Sequence, residues 1–518
     1  MNIFQKLKED KYFLITIFIL ALIIRLLVFG ETGNNNSDGM YKTFLTMNWL
    51  KHPYFVTEGL WPPLHLYLMA FMMLIWKNIY ISPGLVSMVF GVLTIFPYYY
   101  LIKLMFDKRT AMLSTLLLTF LSLHIQLSTT SLAEVPVLFF LFTSIYFLFR
   151  FKKSEHKKLF YLITSAIFLN LACMIRYEAW LFIPILTIFT LNNINDIKKL
   201  PVLKNDVTKY LLIFLIISLI FPTLWIFGNY QSLQKDFSLS QTWTGNFLKD
   251  NIILNPEAPE VNPPLIKQLV SWPRLLFSNL EIISVLAGLG LIVSLFRKKH
   301  LEFLIIFVLL MLIYTYKLVN FTMTLQSRYI LLPVLFLIPY FSTGLEYMLK
   351  SLNKDRSRII TILILFFIIT TSSYNAIVKN PYTTPGDVID VSNWLKTNVN
   401  TTDKILMDEY NWRSLHILFY TGFNTTFTEN YFENFEFVTD QVRIVPGGHV
   451  KIYETNVINY LEKDKPLYLV YSHKGILSPI LNFSSGCQNE VKFNYTFECK
   501  YVTGNYNIYK IKTNMTPE

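Results

Sequence analysis

The chain has 518 residues, 53% of them hydrophobic, 16% aromatic and only 15% charged. Soluble domains carry about 25% charge, so a cytosolic enzyme and a disordered scaffold are both excluded. The net charge of +12 does not point to nucleic acid, because the basic residues stand in short clusters between apolar runs of bilayer length.

In chain order the runs are 12–29, 64–82, 84–102, 110–127, 133–149, 159–174, 179–191, 210–228, 280–296, 301–316, 329–349 and 359–377. The first is too long for the core of a signal peptide, and no small-residue cleavage site follows it. Orientation comes from lysine and arginine, which mark cytoplasmic loops. The clusters are Lys6/Lys8/Lys11, Lys103/Lys108/Arg109, Arg150/Lys152/Lys153/Lys157/Lys158, Lys198/Lys199/Lys204/Lys209, Arg297/Lys298/Lys299 and Lys350/Lys354/Arg356/Arg358, and they hold almost half of the 46 basic residues. All six share one side only if a run between Lys11 and Lys103 fails to cross. The run 64–82 opens at Pro62-Pro63, carries His65 and Lys77 and leads into Ser82-Pro83-Gly84, which predicts a helix lying in the outer interface.

Eleven crossings remain. The expected protein is an α-helical, multi-pass protein of the cell membrane with a cytoplasmic N-terminus. Residues 1–377 form its membrane domain, with a first outer loop at 30–63 and a large outer loop at 229–279. Residues 378–518 form an extracytoplasmic α/β domain, in which helices are predicted around Val391–Leu395 and Trp412–Tyr420. Strands are predicted at Lys404–Met407, Pro466–Tyr471, Val491–Phe497 and Tyr506–Ile511. An outer placement agrees with Asn-x-Ser/Thr triplets at Asn400, Asn424, Asn482, Asn494 and Asn514, and with Cys487 and Cys499, spaced to close a small loop in an oxidising compartment. Cys173 is expected to stay reduced.

Ionisable groups that apolar segments would otherwise avoid collect at the outer ends of the runs. Asp38 follows the first crossing closely, in Asn34-Asn-Asn-Ser-Asp38-Gly39-Met-Tyr41. An Asp-Gly pair serves readily as a turn, yet a carboxylate shielded at the interface can also take a proton from an attacking alcohol. Glu134, in Ser131-Leu-Ala-Glu134-Val-Pro136, starts a helix, an ordinary place for an acid. Independent counting nevertheless puts it on the same side as Asp38. Arg176 stands in Arg176-Tyr177-Glu178-Ala-Trp180 and Arg328 in Arg328-Tyr329-Ile-Leu-Leu-Pro333, each where a guanidinium at the boundary can hold phosphate. Arg25, inside the first crossing, is expected to snorkel to the headgroups. The large outer loop adds Trp243, Trp272 and Arg274, which fit an acceptor cover and an ordinary surface loop equally well. No glycine-rich phosphate loop and no metal-ligand spacing is present.

This pattern resembles the C-type (GT-C) glycosyltransferases, multi-spanning enzymes that take a sugar from a polyprenyl-phosphate carrier. The likeness is to the branch with protein O-mannosyltransferases and the lipid-A aminoarabinose transferase. It rests on Asp38 with Tyr41, Pro62-Pro63-Leu64 with Tyr67, Ser131-Leu-Ala-Glu134, Arg176-Tyr-Glu-Ala-Trp and Arg328-Tyr-Ile-Leu-Leu-Pro333, and it spans roughly residues 12–350. Gly39 stands where the branch often has a second acid, Glu134 where many members have Asp, and Trp61 where lysine often precedes the double proline. The Trp-Trp-Asp signature of oligosaccharyltransferases is absent, so transfer of a whole glycan to asparagine is not expected.

The resemblance implies inverting transfer of one hexose, mannose first, from a polyprenyl or dolichyl monophosphate to a hydroxyl of a protein, lipid or glycan acceptor. Asp38 would be the base, with Glu134 orienting the acceptor or Asp38. Arg176 and Arg328, with His65 and Tyr329, would bind the lipid phosphate. Tyr41, Tyr67 and Glu178 would line the pocket, and no divalent metal or other cofactor would be required. The competing expectation is a transporter or flippase, which needs ionisable groups at the bilayer midplane and often an inverted repeat.

Overall fold

The computed structural model describes residues 3–32, 36–57, 59, 61–154, 157–191, 206–235, 265–319, 326–400, 402–408, 413–421, 442–444, 453–484 and 486–514. The chain forms two compact units: Met1–Gly33 with Tyr54–Pro381, and Asn34–Pro53 with Tyr382–Glu518. The segment 30–63, expected as a first outer loop, is therefore divided, its residues 34–53 belonging with the tail.

Every described element of the first unit is helical. Among the described residues six helices are long and apolar enough to cross a membrane, or eight if two bent pairs, Leu269–Leu280 with Ile282–Phe296 and Ser327–Leu337 with Pro339–Met348, each count as one. Eleven were expected. Length and composition alone do not confirm that count, since several apolar runs break into pieces shorter than a bilayer, such as Lys158–Cys173 and Tyr177–Phe189. Helix α1 (Leu64–Ile75), in the run expected to lie at the interface, has 12 residues, about 18 Å of rise against a hydrocarbon layer of roughly 30 Å. The run 110–127 is interrupted at Leu121, whose extended backbone separates Lys108–Phe120 from Ser122–Leu127.

Small residues and polar clamps join these helices, as bilayer packing requires. A Cβ on Gly290 would lie 1.9 Å from the Tyr340 carbonyl oxygen, and one on Gly344 would lie 1.8 Å from that of Leu286. Helices Ile282–Phe296 and Pro339–Met348 thus meet backbone to backbone. Arg25 corrects an expectation: it does not snorkel but is fully buried. Its guanidinium donates to the carbonyls of Ala21 at 3.0 Å and Thr119 at 3.4 Å and lies 2.6 Å from His124 Nδ1. Asp10 is held by Lys103, Lys108 and Tyr99.

In the second unit a six-stranded sheet runs in the order β2-β1-β3-β6-β5-β4, with β1 (Ile405–Met407), β2 (Val442–Ile444), β3 (Tyr468–Ser472), β4 (Glu490–Lys492), β5 (Tyr495–Thr503) and β6 (Tyr506–Thr513). The first three strands are parallel and the last three join antiparallel. Alternation decides the faces. Ile405, Met407, Val470 and Ile508 pack with Val388, Val391 and Leu395 of helix Gly386–Asn398. Leu406, Leu469, Tyr471 and Tyr509 pack with Val457 and Leu461 of helix Glu454–Asp464. At the ends of β1 and β3, buried Asp408 accepts from the Ser472 and Leu477 amides at 3.1 and 2.9 Å. Gly475 is required there, since a Cβ would stand 2.2 Å from the Asp408 carboxylate. Helix Ser37–Lys51 also belongs to this unit, with Phe44 edge-on to Phe419 at 5.7 Å between ring centroids.

Candidate active site

Asp38 lies in the first turn of helix Ser37–Lys51, where the side chain of the cap residue Asn36 accepts from the Asp38 and Gly39 amides at 3.0 and 3.3 Å. The cap and the positive end of the helix both favour a carboxylate at this point. Tyr41, three residues on and buried, lies on the same helical face.

The other expected acid and both arginines come together in the first unit. Glu134 opens helix Glu134–Lys153, a start that tolerates Pro136 because first-turn amides have no intrahelical partner. The preceding segment is fixed by its own hydroxyls: Thr129 and Thr130 donate to the carbonyls of Gln126 and Leu127, and Ser87 donates to that of Leu132. Arg176 has extended backbone ahead of the 3-10 turn Tyr177–Leu181. That turn is tied down on two sides, by Trp225 donating to the Tyr177 hydroxyl at 2.9 Å and Trp180 donating to the Cys173 carbonyl at 3.1 Å. Arg328 sits in the 3-10 turn Ser327–Ile330 and donates to the Tyr329 hydroxyl at 3.3 Å.

Arg176 divides its nitrogens between two acids. Nε donates to Glu178 Oε2 at 3.0 Å and Nη2 to Glu178 Oε1, while Nη1 lies 2.8 Å from Glu134 Oε1. Arg328 Nη1 approaches the same Glu134 oxygen at 3.6 Å. Side-chain exposures of 6% for Glu134, 11% for Arg328 and 17% for Arg176 place this quartet largely out of water, where ionic contacts are strong and uncompensated charge is costly. Glu134 Oε2 is buried and makes no hydrogen bond among the described residues.

His65 is buried in the first turn of α1, and the adjacent Leu64 amide donates to the Met174 carbonyl at 2.8 Å. The Pro62-Pro63 helix start is thereby fastened two residues before Arg176. Tyr67 accepts at its hydroxyl from the Val56 amide at 2.8 Å. Cys487 and Cys499 are disulfide-bonded with Cα atoms 5.3 Å apart, and Cys173 is free and buried. Trp272 is buried with its ring 5.8 Å from that of Tyr314, whereas Trp243 and the triplet at Asn424 lie outside the described residues. No group of three or more metal-binding side chains occurs among the described residues. Sequence reasoning found the four charges but not their pairing. The available signal was their isolation at the ends of apolar runs, where a charge must find its counter-ion on another segment.

A family model described as dolichyl-phosphate-mannose-protein mannosyltransferase matches residues 61–226. That stretch contains His65, Tyr67, Glu134, Arg176 and Glu178 but neither Asp38 nor Arg328. No curated protein matches the chain. ArnT from Cupriavidus metallidurans bound to undecaprenyl phosphate is similar in structure, with a TM-score of 0.63 and 10% identity over 96% of this chain and 97% of that one. The apo oligosaccharyltransferase of Archaeoglobus fulgidus gives 0.55 and 12% over 90% and 70%. AglB of the same organism, in complex with an inhibitory peptide and a dolichol-phosphate, gives 0.54 and 14% over 89% and 70%.

Proposed function

We propose that this chain, which has the GT-C glycosyltransferase fold, moves a single hexose from a polyprenyl-phosphate carrier to an acceptor hydroxyl on the outer face of the cell membrane. The observation that supports this most directly is the convergence of Arg176 and Arg328 on one buried oxygen. Two guanidiniums set to share one anion in a dry site suit a phosphate ester. Mannose is the sugar favoured by the description of the family model over residues 61–226.

In a single displacement the acceptor oxygen attacks the anomeric carbon while a general base takes its proton, the role that the sequence resemblance gives to Asp38. The bond from that carbon to the phosphate oxygen breaks, and the configuration inverts. The departing polyprenyl phosphate gains one negative charge, which Arg176 and Arg328 stabilise, with His65 and Tyr329 beside them in the phosphate site. Because the guanidiniums supply the positive charge, the chemistry calls for no divalent ion. A transporter would place its ionisable groups at mid-helix, whereas Glu134, Arg176 and Arg328 all sit at helix starts or in 3-10 turns.

The test supplies labelled polyprenyl-phosphate mannose and candidate acceptors to the full-length protein. Arg176→Ala and Arg328→Ala should each lower kcat/KM for the donor by tenfold or more, given roughly 1.5–3 kcal/mol per hydrogen bond to a charged group. Donor kinetics unchanged in both variants would overturn the assignment.

A further inference from the structure

The geometry points to Glu134 as an internal anion that occupies the phosphate position between Arg176 and Arg328 and that the incoming phosphate ester displaces. This rests on the phosphate role proposed for the two arginines and adds a competition at the same nitrogens.

Nε and one hydrogen of Nη2 of Arg176 go to Glu178, whereas Nη1 keeps both of its hydrogens on the side of Glu134, whose Oε1 lies 2.8 Å from it. The same oxygen is shared with Arg328 Nη1 at 3.6 Å. A phosphate oxygen bridging the two guanidiniums would need this place, so carboxylate and phosphate exclude each other. The charges match as well. Replacing the Glu134 carboxylate by a phosphodiester monoanion exchanges one negative charge for another, so the exchange leaves the net charge of the site unchanged.

Glu134 is also poorly held. Its contact to Arg328 is long, and its Oε2 is buried without a hydrogen bond among the described residues, an arrangement that costs stability while it lasts. A bidentate ester satisfying both guanidiniums can therefore replace it. The displaced carboxylate makes donor binding selective for groups that compete as strong, bridging anions, which disfavours uncharged lipids.

The experiment is calorimetric titration of full-length protein in detergent with farnesyl monophosphate and, separately, with inorganic phosphate. The second arm shows whether the lipid tail is needed. Removing the competitor in Glu134→Gln should tighten farnesyl phosphate binding about tenfold, equivalent to 1.4 kcal/mol, and lower the donor KM. Glu134→Asp, whose carboxylate reaches one methylene less far, should fall between Gln and wild type, which preserves the test if the Gln variant fails to fold. A residue that only braces the arginines would show the reverse order. Unchanged or weaker binding in the Glu134 variants, with Arg176→Ala and Arg328→Ala still losing affinity, overturns this inference alone. Binding insensitive to both arginines overturns it together with the proposed phosphate site.

Discussion

Arg176 and Glu178, two positions apart across the start of a 3-10 turn, form a two-point ion pair that sets the plane of the guanidinium. Its consequence is directional, because Nη1 is turned toward Glu134. Glu178→Gln should therefore lower kcat/KM for the donor about tenfold, even though it removes a negative charge from an anion site. Without Glu178 the guanidinium loses its fixed plane and Glu134 becomes its one ionic partner in the quartet, held harder against exchange. Steady-state kinetics beside Glu134→Gln supply the check, since the two variants should shift donor KM in opposite directions. Improved donor use by Glu178→Gln would show that charge outweighs orientation.

Asp38→Asn should abolish turnover while donor still binds. The variant keeps the helix start, because the cap is made by Asn36 and not by Asp38 itself. Loss of a general base costs about 10² to 10⁴ in rate. The measurement is product formation from labelled donor alongside farnesyl phosphate titration. Near wild-type turnover would remove Asp38 from the chemistry.

How legible these features were in the sequence depends on the range of the interaction. In the tail, strands such as Tyr468–Ser472 and Tyr506–Thr513 follow from short β-rich, apolar runs buried between two cores, and helix Gly386–Asn398 from period 3.6, because these signals are local. Breaks inside the apolar runs were less legible, since hydropathy does not register the break at Leu121 or the 118° bend between Leu269–Leu280 and Ile282–Phe296. Arg25 was misread for a related reason. Snorkelling is the rule for a lone arginine facing lipid, but this one meets His124, 99 residues away in sequence. The Glu134 contacts to Arg176 and Arg328 likewise join three separate segments, and no local pattern encodes such a meeting.

His416 gives the tail a pH dependence. Burial, with Arg413 nearby, lowers its pKa from 6.5 to about 4, and neither ring nitrogen has a hydrogen-bond partner among the described residues. The folded pKa is depressed, so the unfolded chain binds the proton more readily. Stability is then full above about pH 6.5 and is lost as pH falls toward 4. A shift of this size is worth roughly 3 kcal/mol at most. Thermal unfolding of the full-length protein from pH 7.5 to 4.5 should show a steeper loss for wild type than for His416→Leu. Parallel curves would mean that the imidazole does not report on folding.

The disulfide and the sidedness of the tail can be tested together. Cys487 and Cys499 close a loop with a sequence separation of 12, for which restriction of the unfolded chain gives about 3 kcal/mol. Cys499 lies in β5, paired with Tyr509 of β6 in the antiparallel half of the sheet. The bridge therefore anchors the loop before β4 to a strand that two neighbours already fix. Cys487→Ser with Cys499→Ser should lower the unfolding temperature of the tail, and reductant should do the same to wild type and nothing to the variant. Such a bond persists in an oxidising compartment, which requires the tail to face outward. Membrane-impermeant thiol labelling provides the independent measure, using cysteines introduced at Asn393, exposed on the tail's first helix, and at Ser154, beside the basic cluster that ends helix Glu134–Lys153. Intact cells should label at 393 and not at 154, because lysine- and arginine-rich loops stay cytoplasmic. The reverse result would put Glu134, at the other end of the helix that precedes Ser154, on the cytoplasmic side, and the lipid phosphate would then have to be offered from within the cell.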